Sequence, residues 1–205
     1  MKRTQSINLS VMRKAPKSFT FKPLAFAITA GTLVGCSDDT QESQVFRTVD
    51  DCARGNPGQE EQCQLAYKDA VNEALNSGPK YSNMPACLED FGQNNCTTYA
   101  SGNNQSFFMP LMTGFMISSV LNNASRYRSA PLYTSYSRFS PAYGQWTSTD
   151  GRLFGSSNNA KVRVDGAAFK PKPTIKRTMK RGGFGSTVAA KSNFGGKSSR
   201  SSWGG

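Results

Sequence analysis

Residues 50–63 of the chain read DDCARGNPGQEEQC, in which two cysteines flank a turn and the acidic start of a helix. Asn56-Pro57-Gly58 is typical of a turn. Glu60 and Glu61 follow, where acidic side chains favour the positive end of a helix dipole. Apolar side chains then recur at roughly helical spacing until Asn76-Ser77-Gly78-Pro79 interrupts the pattern. The sequence therefore predicts a helix over residues 60–75.

Two further cysteines, Cys87 and Cys96, lie on the C-terminal side of this helix, and a second, shorter helix is predicted around Cys87. It covers residues 85–90 and ends at Phe91-Gly92. The spacing of the four cysteines contains no CxxC, and the chain has no histidine, so we do not predict a metal site. We instead predict two structural disulfides among Cys52, Cys63, Cys87 and Cys96.

The pairing of these cysteines is left open by the sequence. We favour Cys52–Cys63 with Cys87–Cys96, because both pairs are local and stand in similar contexts. The nested alternative, Cys52–Cys96 with Cys63–Cys87, would fasten a helical hairpin. In either arrangement the bridges supply stability that so small a core lacks.

The N-terminal residues have the pattern of an export signal. Residues 1–35 contain six lysines and arginines and no acidic residue, and residues 24–34 are mostly apolar. A membrane-spanning helix needs roughly 20 apolar residues, so this run is too short to span a bilayer. Leu33-Val34-Gly35-Cys36 resembles the lipobox of bacterial lipoproteins, in which the cysteine thiol receives a lipid. Ser37 after it is typical of lipoproteins sorted to the outer membrane.

We therefore expect a lipid on Cys36 and a location in the cell envelope, at the outer membrane facing the periplasm. The export signal would be residues 1–35 and a polar linker residues 36–49. An acidic, disulfide-bridged helical module would follow over residues 50–100, then an apolar, methionine-rich segment over residues 106–121. Residues 122–205 would form a basic, low-complexity tail that is mostly disordered.

The charge is divided unevenly along the chain. Residues 36–99 carry 11 acidic and 4 basic side chains, whereas residues 100–205 carry 2 acidic and 15 basic ones. A basic half in the envelope fits an anionic partner, such as lipopolysaccharide, phospholipid or peptidoglycan, or an envelope protein. The alternative is that the basic half folds back onto the acidic half, and the charges alone do not choose between the two.

The methionine-rich segment is the most hydrophobic stretch after the signal, and Pro110 suits the first turn of a helix there. Three interpretations remain open: it packs as core, lies in the membrane interface, or mediates self-association. Its candidate membrane or partner contacts are Phe107, Phe108, Met109, Met112, Phe115 and Met116. Three of the methionines are suitable Cu(I) ligands, but methionine more often fills apolar contacts, so no metal is predicted.

The basic half has little regular periodicity. Asp150-Gly151 between β-prone flanks predicts one local hairpin. Lys170-Pro171-Lys172-Pro173 predicts an extended segment. Arg181-Gly182-Gly183-Phe184 resembles a nucleic-acid-binding tail, but a single copy is weak evidence and an exported protein seldom meets nucleic acid. The fold class predicted overall is a small, mainly α, disulfide-bridged module with a long, largely disordered basic C-terminal region and at most one hairpin.

The order of these features resembles the YgiB-like family of uncharacterised proteins from Gram-negative bacteria. The resemblance covers nearly the whole chain and implies kinship without an activity, because the family offers no catalytic residue to transfer. It rests on Met1-Lys2-Arg3-Thr4, Gly35-Cys36, Asp50-Asp51-Cys52, Asn56-Pro57-Gly58, Cys63, Ala66-Tyr67, Pro79-Lys80-Tyr81, Cys87, Phe91-Gly92, Cys96, Phe108-Met109-Pro110-Leu111-Met112, Ser140-Pro141-Ala142-Tyr143-Gly144 and Arg181-Gly182-Gly183-Phe184-Gly185.

Among the function classes, the sequence favours a non-enzymatic structural or interaction protein tethered to the membrane. The absence of histidine removes the usual Ser-His-Asp, Cys-His and zinc chemistries. Adjacent acids such as Glu60 and Glu61 are more often helix-dipole partners than an acid–base pair. We therefore expect neither an enzyme nor a cofactor. The alternative, if the chain is not exported, is a nucleic-acid-binding or other anion-binding protein that acts through the Arg/Gly-rich tail.

Overall fold

A four-stranded antiparallel sheet lies at the centre of the computed structural model, which describes residues 40–101, 105–118 and 128–195. The strands in these residues are β1 Thr40–Phe46, β2 Cys96–Ser101, β3 Gln105–Pro110, β4 Gly114–Ser118, β5 Ser129–Leu132, β6 Gln145–Thr147, β7 Leu153–Ser156 and β8 Lys161–Asp165. The helices are α1 Val49–Gly55, α2 Glu60–Ser77, α3 Met84–Phe91, the 3₁₀ helix Gly166–Phe169 and α4 Gly183–Gly195. The central sheet has the order β5-β4-β1-β8, and β2-β3 and β6-β7 form separate two-stranded sheets.

The two faces of the central sheet are covered by different parts of the chain. Side chains alternate between faces along a strand, so Phe115 and Ile117 of β4 pack on α1 and α2, whereas Met116 points to the opposite face. There Met116 joins Trp146 and Phe169 in a second cluster. Because both faces are buried, β4 reads as a continuous apolar run rather than an alternating one.

A third cluster joins α3 to α4. Tyr81 and Phe91 pack there with Tyr133, and α4 contributes Phe184 and Val188, all nearly inaccessible to solvent. Phe184 and Val188 are four residues apart, so they lie on the same side of α4. The C-terminal helix is therefore an integral part of the core.

The disulfides connect neighbouring elements. Cys52–Cys63 joins α1 to α2, and Cys87–Cys96 joins α3 to the start of β2. The structure thus confirms the disulfides and has the local pairing rather than the nested one. Three local predictions are also confirmed: α2 at residues 60–77, α3 at residues 84–91, and the hairpin β6-β7, in which Gly151 has a φ of 81°.

The predicted fold class is wrong. The described residues are mixed α/β with antiparallel sheets, rather than a mainly α module with a largely disordered basic tail. The tail was expected to be disordered because its average hydrophobicity is low, but an average does not show where the apolar residues lie. The few apolar residues of the tail lie at positions that face the core. Strand β8 alternates exposed and buried side chains, and its Val162 and Val164 are buried. Pro110 ends a strand rather than beginning a helix, and β1 lies within the stretch expected to be a polar linker.

Candidate anion-binding site

An extended segment, residues 170–182, runs beside the end of α2 and borders the candidate site; we call it the strap. Its backbone is held at two points, where the Ile175 amide donates to Asn76 O at 2.9 Å and the Met179 amide donates to Lys80 O at 2.5 Å. On the other side of this stretch, Tyr81 exchanges two backbone hydrogen bonds with Phe108 of β3, at 2.8 and 3.0 Å. Residues 80–81 are thus enclosed between β3 and the strap.

A cleft of about 560 Å³ opens between the strap and β3. This volume lies within the range of pockets that hold small ligands. The cleft contains three cationic side chains and four hydroxyls, and none of the described residues that line it is acidic. The lining consists of Lys80, Ser82, Ser106, Phe107, Thr174, Ile175, Lys176, Arg177 and Thr178.

Lys80 is the fixed cation of the cleft. Its Nζ donates to Ile175 O at 3.0 Å and lies 5.0 Å from the centroid of the Phe107 ring, in cation–π geometry. An ammonium carries three donors, so two remain for a ligand. Partial burial lowers the pKa of Lys80, since desolvation disfavours the charged form. An anion placed against Nζ would offset this cost.

Lys176 and Arg177 are exposed at the rim of the cleft. Neither they nor Lys80 belongs to any ion pair within the described ranges. Arg177 can present a planar fork of donors to a phosphate or carboxylate group, and the neighbouring hydroxyls of Thr174 and Thr178 can add further donors. The arrangement is chemically suited to bind an anion.

Other cations of the basic half are already paired with the acidic half. Lys161 contacts Glu42 at 2.8 Å, and Arg181 forms an ion pair with Glu89. Lys172 donates instead to the carbonyl oxygens of the 3₁₀ turn, including Ala167 O at 2.6 Å. The basic half therefore does fold back onto the acidic half, but this pairing leaves the cations of the cleft unpaired.

The structure distributes the residues singled out in the sequence among different surroundings. Among the methionine-rich contacts, Met109, Phe115 and Met116 are buried in the core, and Phe108 and Met112 are partly buried against it. Phe107 lines the cleft, whereas Cys36 lies outside the described residues.

Sequence reasoning missed Lys80 and the role of the strap. The only signals were the stiff Lys170-Pro171-Lys172-Pro173 and the positive charge that follows it, and neither indicates that this segment packs beside α2 and β3.

In the part of the chain that the structure describes, no group of three or more Cys, Asp or Glu side chains is placed to hold a metal, and no helix is long and apolar enough to cross a membrane.

Together these features define a disulfide-bridged α/β protein with a cationic cleft. Residues 40–195 match the family described as "Protein of unknown function (DUF1190)". A UPF0441 protein of Sodalis glossinidius is 37% identical over 199 residues, which cover 92% of each chain. UPF0441 proteins of Yersinia pestis and Klebsiella pneumoniae are 34% and 36% identical, over 95% of this chain and 92% and 93% of theirs. No solved structure matches the chain. The chain belongs to the DUF1190 (UPF0441) family of uncharacterised proteins.

Proposed function

We propose that the protein is a non-enzymatic interaction protein of the cell envelope, tethered to a membrane by a lipid on Cys36, which binds an anionic envelope component through the cleft at Lys80. The observation that carries the anion-binding part is the set of three unpaired cations, Lys80, Lys176 and Arg177, around a cleft with no acidic lining residue among those described. Phosphate groups of lipopolysaccharide or phospholipid are the first candidates, and peptidoglycan carboxylates the second.

The envelope part of the proposal is supported by two independent features. The first is the cationic leader, apolar run and Gly35-Cys36 junction, which also support the finer assignment to a YgiB-like outer-membrane lipoprotein facing the periplasm. The second is the pair of disulfides, because such bridges persist in oxidising compartments and are rare in the cytosol.

The lipid anchor is tested in cells that express the full chain. In untreated cells, fractionation and mass spectrometry are expected to find an N-terminal, lipid-bearing Cys36 in the outer-membrane fraction. In cells treated with globomycin, which blocks cleavage before Cys36, uncleaved precursor is expected to accumulate in the membrane fraction. An intact Met1 in the cytosolic fraction would overturn this part and favour the nucleic-acid-binding alternative.

The anion site is tested by charge reversal. Lys176→Glu with Arg177→Glu should weaken binding of purified lipopolysaccharide by about tenfold or more, since charge-assisted contacts to phosphate are among the stronger hydrogen bonds. Lys68→Glu with Arg128→Glu changes net charge equally at exposed positions outside the cleft and serves as the control. Parallel titrations with phosphatidylglycerol vesicles and peptidoglycan fragments separate the candidate ligands. Equal weakening in both double variants would reduce the effect to net charge and refute the site.

A further inference from the structure

A loop with three solvent-exposed aromatic side chains lies next to α4. Phe139 at its tip is 95% exposed, and Tyr136 and Tyr143 are 51% and 50% exposed. Single exposed apolar residues are normal on protein surfaces. Three large aromatic side chains, each at least half exposed within eight consecutive residues, are a concentration of exposed apolar surface of the kind that marks interaction sites. We call residues 136–143 the aromatic loop.

Backbone hydrogen bonds fix the aromatic loop to the rest of the protein. The Tyr136 amide donates to Phe91 O at 3.0 Å, and Gly144 closes the loop by donating to Ser135 O at 2.9 Å. Two turns inside the loop are closed by backbone hydrogen bonds. The Ser140 amide donates to Ser137 O and the Tyr143 amide donates to Ser140 O, each at 3.0 Å. Ala142 is fully buried beneath them. The rings are therefore presented by a fixed backbone, so binding requires little loss of backbone freedom.

The charge of the loop suits a phospholipid surface. Arg138 is its only charged residue, and no acidic residue occurs between Pro131 and Thr149. Tyrosine and other amphipathic aromatic side chains are enriched at the headgroup level of membranes, where an arginine can contact phosphate groups. A buried protein interface would accommodate the rings equally well, but the short chain between Thr40 and the proposed lipid on Cys36 favours the membrane.

The start of the sheet and the aromatic loop lie at neighbouring positions along α4. Thr40 lines a depression together with Lys191 and Ser192 of α4. Six residues earlier in the same helix, Gly185 packs so closely on Pro141 of the loop that an added Cβ would lie 3.3 Å from its Cδ. Six helical residues span about 9 Å. The first residue of β1 and the aromatic loop are therefore both adjacent to one short stretch of helix.

The covalent distance to the proposed lipid is equally short. Four residue steps separate Cys36 from Thr40, and a fully extended chain covers at most about 14 Å in four steps. A lipid on Cys36 would hold the start of β1 within that distance of the bilayer surface. The aromatic loop would then lie within reach of the headgroups.

We infer that the aromatic loop docks on the phospholipid bilayer that holds the lipid of Cys36, with Phe139 inserted among the headgroups and Arg138 against lipid phosphate. This inference rests on the proposed lipid anchor. It adds a second, non-covalent contact, which would fix the orientation of the protein on the membrane and with it the direction in which the Lys80 cleft faces.

The test places a fluorescent reporter at the loop tip. Full-length protein carrying Phe139→Trp, with Trp203→Phe to remove one background signal, is incorporated into vesicles of phosphatidylethanolamine and phosphatidylglycerol that contain brominated lipid. The emission of residue 139 is expected to shift to shorter wavelength and to be quenched. Gln64→Trp, at an exposed position on α2, is the matched control and is expected to remain at the emission of a water-exposed indole.

Loss variants give a second measurement that does not depend on the label. Phe139→Ser should lower the fraction of protein bound to vesicles by about tenfold when the lipid is absent, whereas Leu65→Ser, which removes a side chain with 42% exposure on α2, should not. Arg138→Glu should weaken binding to phosphatidylglycerol vesicles and leave binding to zwitterionic vesicles unchanged.

The outcomes separate this inference from the proposed function. A lipidated N-terminal peptide with an unquenched, water-exposed reporter at position 139 would overturn the docking inference alone and favour a protein partner for the loop. An unmodified N-terminus would overturn the anchor. Protein without the lipid would then be added to the same vesicles. Quenching of the tryptophan at position 139 would still support docking of the loop, and no quenching would refute it.

Discussion

Asp90, near the end of α3, connects three parts of the core. Its Oδ2 accepts the Tyr81 hydroxyl at 2.6 Å and the Phe184 amide of α4 at 3.2 Å. Its main-chain oxygen accepts the Ser135 hydroxyl at 2.6 Å. Burial of a carboxylate is costly unless donors satisfy it. Two of these donors, Ser135 and Phe184, are 45 and 94 residues away in sequence, so Asp90 helps to specify where α4 and the loop before β6 are placed.

Two buried tyrosines offer a direct test of this role. The Tyr81 hydroxyl donates to Asp90, whereas the Tyr133 hydroxyl has no hydrogen-bond partner within the described residues. Tyr81→Phe should lower the free energy of unfolding by about 1–3 kcal/mol, because it removes a donor from a buried carboxylate. Tyr133→Phe should change it by less than about 0.5 kcal/mol or raise it slightly. Urea unfolding of both variants measures the difference, and equal losses would contradict the assignment.

The titration of Asp90 provides a second prediction. Burial raises the pKa of Asp90 above 3.8, although Tyr81 and Phe184 oppose the shift. The folded protein therefore holds this proton more tightly than the unfolded chain. The resulting stabilisation is complete below pH 3.8 and is lost as the pH rises through the raised pKa of the folded state.

Asp90→Asn cannot ionise and serves as the reference for this measurement. We expect the free energy of unfolding of the wild type, minus that of Asp90→Asn, to fall as the pH rises from about 4 and then to level off. Urea unfolding of both proteins between pH 3 and pH 8 measures this difference. A difference that grows with pH would mean that hydrogen bonding outweighs burial and that the pKa is lowered.

At the scale of elements, the end of α3 depends on one glycine. Gly92 has a φ of 90° and a ψ of 168°, a conformation that is essentially restricted to glycine. A Cβ added there would lie 3.0 Å from the backbone of Tyr136. Gly58 also has a positive φ, 81°, but an added Cβ would meet nothing within 4 Å.

This contrast predicts different costs for the same substitution. Gly58→Ala should destabilise the protein by about 1 kcal/mol, which is the cost of the left-handed backbone alone. Gly92→Ala should cost about 2–4 kcal/mol, because the aromatic loop must also move away from α3. The free energy of unfolding in urea measures both. Equal costs would show that the contact between α3 and the loop is easily relaxed.

The elements that sequence reasoning predicted are those with local signals. Helix α2 has a turn before it and a Gly-Pro stop after it, and the β6-β7 hairpin has its Asp-Gly turn. Strand β1 has no such signal: TQESQVF is mostly polar, yet it pairs with β4 and β8, both more than 60 residues away. Helix α4 has glycine at its first and third positions and buries only a narrow apolar side, so its stability comes from packing.

At the scale of the whole molecule, the division of charge was predictable but its spatial result was not. The cleft combines Lys80 from the acidic half with Lys176 and Arg177 from the basic half. Hydrogen bonds between the strap and residues 76–80, including the one from Lys80 Nζ to Ile175 O, bring these side chains together. Composition left open whether the basic half meets an anionic partner or folds back onto the acidic half, and only the fold places these three cations around one cleft.

The distance between Cys36 and β1 gives the last prediction. Inserting about 12 glycine and serine residues after Asp39 would lengthen the proposed tether to a mean span of about 22 Å for 16 residues. The local concentration of the aromatic loop at the bilayer should then fall. Quenching of a tryptophan at position 139 by brominated lipid should therefore decrease severalfold in the lipidated protein, because a weak contact between the loop and the bilayer depends on that concentration.

Binding of purified lipopolysaccharide by the Lys80 cleft should not change, since the insertion touches none of its residues, and this titration is the control for folding. Unchanged quenching would mean that the loop holds the membrane through its own affinity, and loss of both signals would mean that the insertion disturbs β1.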